Sequence, residues 1–107
     1  TDVLAVTGGE ILNEMATVFE TVGTDTRQNL TGQLFIALKG DSFDAHHFLN
    51  QAVKQGAAGV LIHELPEDQR WILNKCTIIR VPDTLRALQD LSSWVRYQFR
   101  GRVLALT

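Results

Sequence analysis

The sequence predicts an α/β fold: one three-layer domain in which a mixed or mostly parallel sheet is flanked by helices. Three observations carry this. Apolar runs of strand character alternate with segments of helical spacing, in the order strand, helix, strand, strand, helix, strand. Polar and glycine-containing turns separate them, without a repeat, low-complexity tract or flexible linker. The 107 residues suffice for one hydrophobic core and not for two.

The first apolar stretch, Thr1 to Val6, reads as the tail of a helix that stops at Gly8-Gly9. Thr17 to Val22 has the β-branched and aromatic enrichment of a strand and leads into the polar segment Gly23-Thr24-Asp25-Thr26-Arg27. Leu34 to Leu38 is a continuous apolar run, as expected of a strand covered on both faces. After the turn at Gly40-Asp41-Ser42, Asp44 caps a predicted helix with Ala45, Phe48, Leu49, Ala52 and Val53 on one face, and Gly56 ends it. Ala58 to Ile62 reads as a second buried strand. The polar stretch Pro66 to Arg70 follows, and Trp71 to Leu73 read as a short helical turn or loop. Thr77 to Val81 is the next strand. Pro82-Asp83 opens a longer helix in which Leu85, Leu88, Leu91, Val95 and Phe99 recur at helical spacing. Arg102 to Thr107 is a final apolar strand with no turn after it.

Composition narrows the function. Hydrophobic residues form 45% and charged residues 21%, which is ordinary for a globular domain and not for a disordered one. No apolar run approaches the roughly 20 residues of a membrane span, and the opening residues lack the pattern of a signal peptide, so an intracellular protein is expected. The single cysteine, Cys76, lies in the apolar stretch Cys76-Thr77-Ile78-Ile79 and reads as a buried strand thiol in a reducing compartment. A net charge of −2 with scattered basic residues excludes the cationic stripe of a general nucleic-acid binder.

In sheets of this kind ligands favour the loops at strand ends, which singles out the two polar segments near Thr24 and Asp41. Thr24-Asp25-Thr26-Arg27 combines two hydroxyls, a carboxylate and a guanidinium, the mix that hydrogen-bonds a base or sugar and neutralises phosphate. It equally suits a structural turn with Asp25 capping backbone N–H groups and Arg27 paired to it. Lys39-Gly40-Asp41-Ser42-Phe43-Asp44 offers a lysine, a permissive glycine and a helix start that favours an anion, or else a strand-to-helix turn capped by Asp44. His46 and His47 are adjacent and point apart, His63 is distant, and no spacing completes a metal site. No nucleophile with a partnered base emerges, and neither a P-loop nor a dinucleotide fingerprint is present, so no catalytic residue is assigned.

Taken together, Thr24-Asp25-Thr26-Arg27, Gly32-Gln33-Leu34-Phe35-Ile36-Ala37-Leu38-Lys39-Gly40 and Phe43-Asp44-Ala45-His46-His47-Phe48 resemble the amino-terminal domain of Mur ligases. The resemblance runs on through Ala52, Gly56-Ala57-Ala58-Gly59-Val60-Leu61, Val81-Pro82-Asp83-Thr84-Leu85-Arg86-Ala87-Leu88 and Val103-Leu104-Ala105-Leu106-Thr107. The Lys-Gly-x-x-Phe-Asp-Ala-His pattern is most similar to the MurF branch, which joins D-alanyl-D-alanine to UDP-N-acetylmuramoyl-tripeptide. The MurE branch, which adds the third amino acid, shares the loop pattern.

The resemblance implies a cytoplasmic bacterial enzyme of peptidoglycan biosynthesis, whose first domain holds the UDP portion of a UDP-N-acetylmuramoyl-peptide. It implies ATP-dependent amide formation through an acyl phosphate, with ATP and Mg2+ bound by a central domain outside this chain and a third domain admitting the amino compound. Residues 1–101 would then be the substrate-binding domain and 102–107 the first strand of the central domain, leaving the fragment inactive alone. Carried over by position, the uridine-nucleotide contacts fall on Thr24, Thr26, Asp41, Ser42 and Phe43, with Arg27, Lys39 and His46 flanking them. Thr31 stands where a proline is frequent and Thr26 where a serine is frequent, and neither change removes a hydroxyl or a needed glycine. A non-catalytic protein-interaction module is the rival from another class.

Overall fold

The computed structural model describes residues 3–98 and 104–105. The elements run α1 (Val3–Thr7), β1 (Glu10–Asn13), β2 (Val18–Phe19), β3 (Val22–Gly23), β4 (Leu34–Ile36), α2 (Leu49–Lys54), β5 (Gly59–Ile62), β6 (Thr77–Arg80), α3 (Thr84–Gln98) and β7 (Leu104–Ala105). Two 3-10 helices join them, Ala45–Phe48 ahead of α2 and Glu67–Asn74 between β5 and β6.

Strands β3, β4, β5 and β6 pair in parallel, each with the next, and β1 closes the far edge antiparallel to β6. The sheet is therefore mixed and mostly parallel. Every residue of β4 and β5 is buried, because helices cover both faces. Alternation within the strands sorts the side chains. Phe35, Val60, Ile62 and Ile78 face α2 and the 3-10 helices, where Leu49, Ala52 and Ile72 meet them. Leu34, Ile36, Leu61 and Ile79 face the other way, against Val3 of α1 and Ala87 and Leu91 of α3. Each fully buried Leu, Ile or Phe contributes about 1.5–3 kcal/mol, so these two layers supply most of the drive to fold.

Local signals set the helix ends. The Asp83 carboxylate accepts the Leu85 and Arg86 N–H groups at 3.0 and 3.2 Å and so caps α3. Gly8, at φ 69°, stops α1 with its N–H donating to the Leu4 carbonyl at 2.8 Å. Gly56, at φ 94°, takes the left-handed conformation just past α2.

Four expectations need correction. The single strand expected over Thr17 to Val22 is two: β2 pairs with β7 in a separate two-stranded sheet, while β3 belongs to the main one. The break falls at Glu20-Thr21, whose backbone groups bond instead to Gly32 and Leu34. Strand β1 was not expected, since Glu-Ile-Leu-Asn has little β-branched content; its half-exposed edge position tolerates that. Phe48 is half-exposed and off the buried face, because the 3-10 geometry of Ala45–Phe48 advances about 120° per residue and not 100°. Leu85, in the first turn of α3, is also half-exposed. Of the last expected strand only Leu104–Ala105 is described; residues 102, 103, 106 and 107, and Phe99 of the expected helix face, lie outside the described residues.

Gly59 lies where Phe19 of β2 packs onto the sheet. A Cβ there would lie 2.8 Å from Phe19 Cε1 and 3.1 Å from the Thr77 carbonyl oxygen. Gly59→Ala should therefore destabilise the fold by about 1–3 kcal/mol, read as a lower midpoint in urea with an unchanged slope. An unchanged midpoint would mean that Phe19 moves freely and that this contact does not constrain the sheet.

Candidate substrate cleft

Parallel pairing brings the segments after β3, β4, β5 and β6 to the same end of the sheet, beyond the C-terminal ends of these strands. Thr24 to Arg27 follows β3, and the turn Lys39 to Asp44 follows β4. Between them lies a cleft of about 510 Å³. Thr24, Asp25, Thr26 and Arg27 line one side, Phe43 and Phe48 the other, and the buried Phe35 and Ala45 complete it.

The first loop is held by Asp25. Its carboxylate accepts the Arg27 backbone N–H at 2.9 Å and the guanidinium Nε and Nη2 at 3.0 Å each. The Arg27 side-chain hydrogen bond is the main cause that holds the Asp25 carboxyl below its ordinary pKa, and the same bond raises the pKa of Arg27. The turn reading and the cleft reading of this segment thus hold together: the pair is structural, yet the largely exposed guanidinium lines the cleft.

The second loop is a tight turn. Lys39 and Asp44 bridge, the Gly40 N–H donates to the Phe43 carbonyl at 2.8 Å, and the Ala45 N–H to Leu38 at 2.8 Å. Gly40 lets the Phe43 ring lie against the backbone, since a Cβ would come within 3.0 Å of Phe43 Cε1. The helix start is capped by the chain itself: the Asp44 carboxylate accepts the His46 N–H at 2.9 Å, so the anion reading of this helix start gives way to the cap.

Of the expected site residues, Thr24, Thr26, Arg27 and Phe43 come together in the cleft. Asp41 and Ser42 are exposed at the tip of the turn and are not among its lining. Lys39 lines a neighbouring cavity of about 240 Å³ with His63 and the Pro82 to Leu85 segment. His46 is fully buried. Its Nδ1 lies 2.6 Å from Asp44 Oδ1, and its Nε2 accepts the His63 backbone N–H at 3.0 Å, so in this conformation it offers a ligand no atom. Sequence reasoning missed Phe48 as a lining residue because helical spacing assigned it to the core.

A third cavity, about 400 Å³, lies between Gly8, Glu10, His63, Arg80 and Pro82, with Arg80 paired to Glu10. Among the described residues no three His, Cys, Asp or Glu side chains converge in a way that suits a metal ion. No described helix is long and apolar enough to cross a membrane.

A sequence profile described as "Mur ligase family, catalytic domain" matches residues 18–95. The chain belongs to the Mur ligase family. Among curated Mur ligases, the UDP-N-acetylmuramoyl-tripeptide--D-alanyl-D-alanine ligase of Escherichia coli K12 is 44% identical over 107 residues, covering 100% of this chain and 22% of that protein. The enzyme of the same name from Haemophilus influenzae is 38% identical, covering 82% of this chain and 18% of its own. A UDP-N-acetylmuramoyl-L-alanyl-D-glutamate--2,6-diaminopimelate ligase of Cytophaga hutchinsonii is 39% identical over 64% of this chain and 14% of its own. A crystal structure of MurF from Acinetobacter baumannii superposes with a TM-score of 0.74 at 28% identity, covering 90% of this chain and 20% of that one. The chain thus spans about a fifth of the Mur ligases it matches.

Cys76 is remote from reactive chemistry: burial pushes its thiol up to about 11. In this Mur ligase segment, alkylation of Cys76 by iodoacetamide at neutral pH should require unfolding. Labelling under native conditions as fast as that of a free thiol would contradict the buried placement.

Proposed function

We propose that this chain is the substrate-holding part of a ligase that adds D-alanyl-D-alanine to UDP-N-acetylmuramoyl-tripeptide, and that its cleft takes the uridine diphosphate end. The observation that carries this is the convergence of Thr24, Thr26 and Arg27 with Phe43 and Phe48 around one opening at the end of the sheet. Its chemistry suits a uridine nucleotide. Two aromatic side chains offer faces to a base, a contact worth about 1–3 kcal/mol per base. Two hydroxyls donate to and accept from base or sugar, and Arg27 keeps N–H donors that Asp25 does not use, available to a phosphate. The likeness to D-alanyl-D-alanine ligases along the whole chain favours that branch. Asp41 and Ser42, one turn away, would reach the ligand only at its rim.

The chain's own residues would act by position. A grip on the nucleotide end spends binding energy far from the reacting carboxylate and holds that carboxylate where the remainder of the enzyme acts. Among the described residues no three His, Cys, Asp or Glu side chains converge, which supports placing Mg2+ with ATP elsewhere. We assign ATP and Mg2+ to the rest of a cytoplasmic enzyme, with residues 102–107 leading into its central domain and the fragment alone inactive. Transfer of the third amino acid is the second reading, favoured by the diaminopimelate ligases among the relatives.

The intact protein should consume UDP-N-acetylmuramoyl-tripeptide and D-alanyl-D-alanine with ATP, and should not accept the dipeptide precursor with diaminopimelate; the reverse preference would establish the second reading. Thr24→Val combined with Thr26→Val should raise KM for the nucleotide substrate about tenfold or more with kcat nearly unchanged. An unchanged KM would remove these hydroxyls from the site.

A further inference from the structure

The wall of the cleft formed by residues 43–48 hangs on the Ala45 N–H bond to Leu38 after β4 and, at its other side, is tied to the end of β5 by a buried imidazole. Phe43, Ala45 and Phe48 line the cleft, and His46 lies in their midst with its side chain turned inward and no exposed surface. Its Nε2 accepts the His63 backbone N–H, immediately after β5, at 3.0 Å. An acceptor there requires the proton on Nδ1, which faces Asp44 Oδ1 at 2.6 Å. The Asp44 carboxylate in turn accepts the His46 amide, and the Asp44 backbone forms an antiparallel bridge with that of Lys39, closing the turn that presents Phe43.

We propose that His46 is a positioning residue: as the neutral Nδ1–H tautomer it clamps the Lys39 to Phe48 segment to the end of β5, and so sets the aromatic wall against which a uridine nucleotide lies. This rests on the uridine reading of the cleft. A second proton would sit on Nε2, facing the His63 N–H donor to donor. The Asp44 contact would survive protonation and the attachment to β5 would not. The charged and titratable groups around the imidazole are Asp44 and Lys39 on the turn, and His63 and Glu64 after β5; the His63 ring meets it edge-on with centroids 4.6 Å apart.

Burial, the leading cause, holds His46 below the ordinary histidine range, against the opposing pull of Asp44. A depressed folded value fixes the sign: the clamp is fully present above the unfolded imidazole value of about 6.5 and is lost as pH falls through the lower folded value. Asp44 is itself kept ionised through that range; burial raises its value, but the amide and ring of His46 and the charge of Lys39 together lower it further.

The test is titration of the intact protein with uridine monophosphate, alongside His46→Gln and His46→Asn. Gln places an acceptor near the Nε2 position and loses the Asp44 contact, whereas Asn keeps a donor near Nδ1 and loses the His63 contact. Each should weaken binding about tenfold at about pH 8. The wild-type advantage over His46→Gln should shrink as pH falls below the unfolded imidazole value of about 6.5 and through the lower folded one, since only the wild type loses its clamp to a proton. The nucleotide's own phosphate titrates identically in both proteins and cancels in the ratio. Equal affinity of wild type and His46→Gln at about pH 8, or a ratio that ignores pH, would overturn the proposal. Protection of the Gly40 and Ala45 amides against hydrogen exchange gives a readout without ligand, usable on the wild type should the variants not fold. It should fall on acidification, and constant protection would also overturn the clamp. Failure of the wild type to bind uridine monophosphate at any pH would refute the uridine reading, and the exchange data would still decide whether the clamp exists.

Discussion

Four short strands running side by side in one direction constrain everything at the cleft. Parallel neighbours release their following segments at the same end, so Thr24 to Arg27 and Lys39 to Asp44 meet there although a dozen residues separate them along the chain. Antiparallel pairing of β3 with β4 would send one loop to each end of the sheet. The registers Val22 with Leu34 and Leu34 with Gly59 are fixed by the alternation of buried side chains, since a slip of one residue would exchange the two cores. Packing on both faces and loop placement are thus one constraint, and a change such as a larger residue at 59 acts on both.

Buried polar groups complete the attachment of irregular segments to that sheet. Thr77 is fully buried, donates its hydroxyl to the Ala16 carbonyl at 2.6 Å and accepts the Met15 N–H at 2.8 Å, which pins the chain between β1 and β2. The half-buried Asn13 side chain donates to the Cys76 carbonyl at 2.8 Å, just ahead of β6. Gln69 ties the second 3-10 helix to the Asn50 N–H at 2.8 Å. His46 does the same for the cleft wall. Each such group costs free energy when buried unless bonded, and the buried Thr77, Gln69 and His46 are bonded; among the described residues Asn50 Oδ1 is the buried side-chain atom left without a partner.

The sequence disclosed the fold where one physical signal acted alone. The apolar runs at Leu34, Ala58 and Thr77, and the helix opened by Pro82-Asp83, needed nothing beyond burial and capping, and all are in place. It failed where tertiary contacts overrode local preference. Nothing within Thr17 to Val22 says that the chain changes sheets at Glu20, because that change is made by Gly32 and Leu34. The cleft was legible as two polar loops, and Thr24, Thr26, Arg27 and Phe43 were named from them. Phe48 and His46 were exchanged in kind: the aromatic residue meant for the core lies at the cleft, and the imidazole meant for the ligand lies in the core. A helix wheel of α spacing misplaces Phe48 because the first turn is 3-10, whereas His46 was named only for its position beside the loop.

The ion pair at Asp25 and Arg27 bears on how a charged molecule finds this surface. At the mouth of the cleft the guanidinium is already neutralised by the carboxylate two residues away, and the whole chain carries a slight negative excess. Little electrostatic steering therefore draws an anion from a distance, and encounter is governed by diffusion and depends only weakly on ionic strength. Under the proposed reading of the cleft the advantage would come at close range, where Arg27 is already oriented by Asp25 and would lose little side-chain entropy on meeting a phosphate.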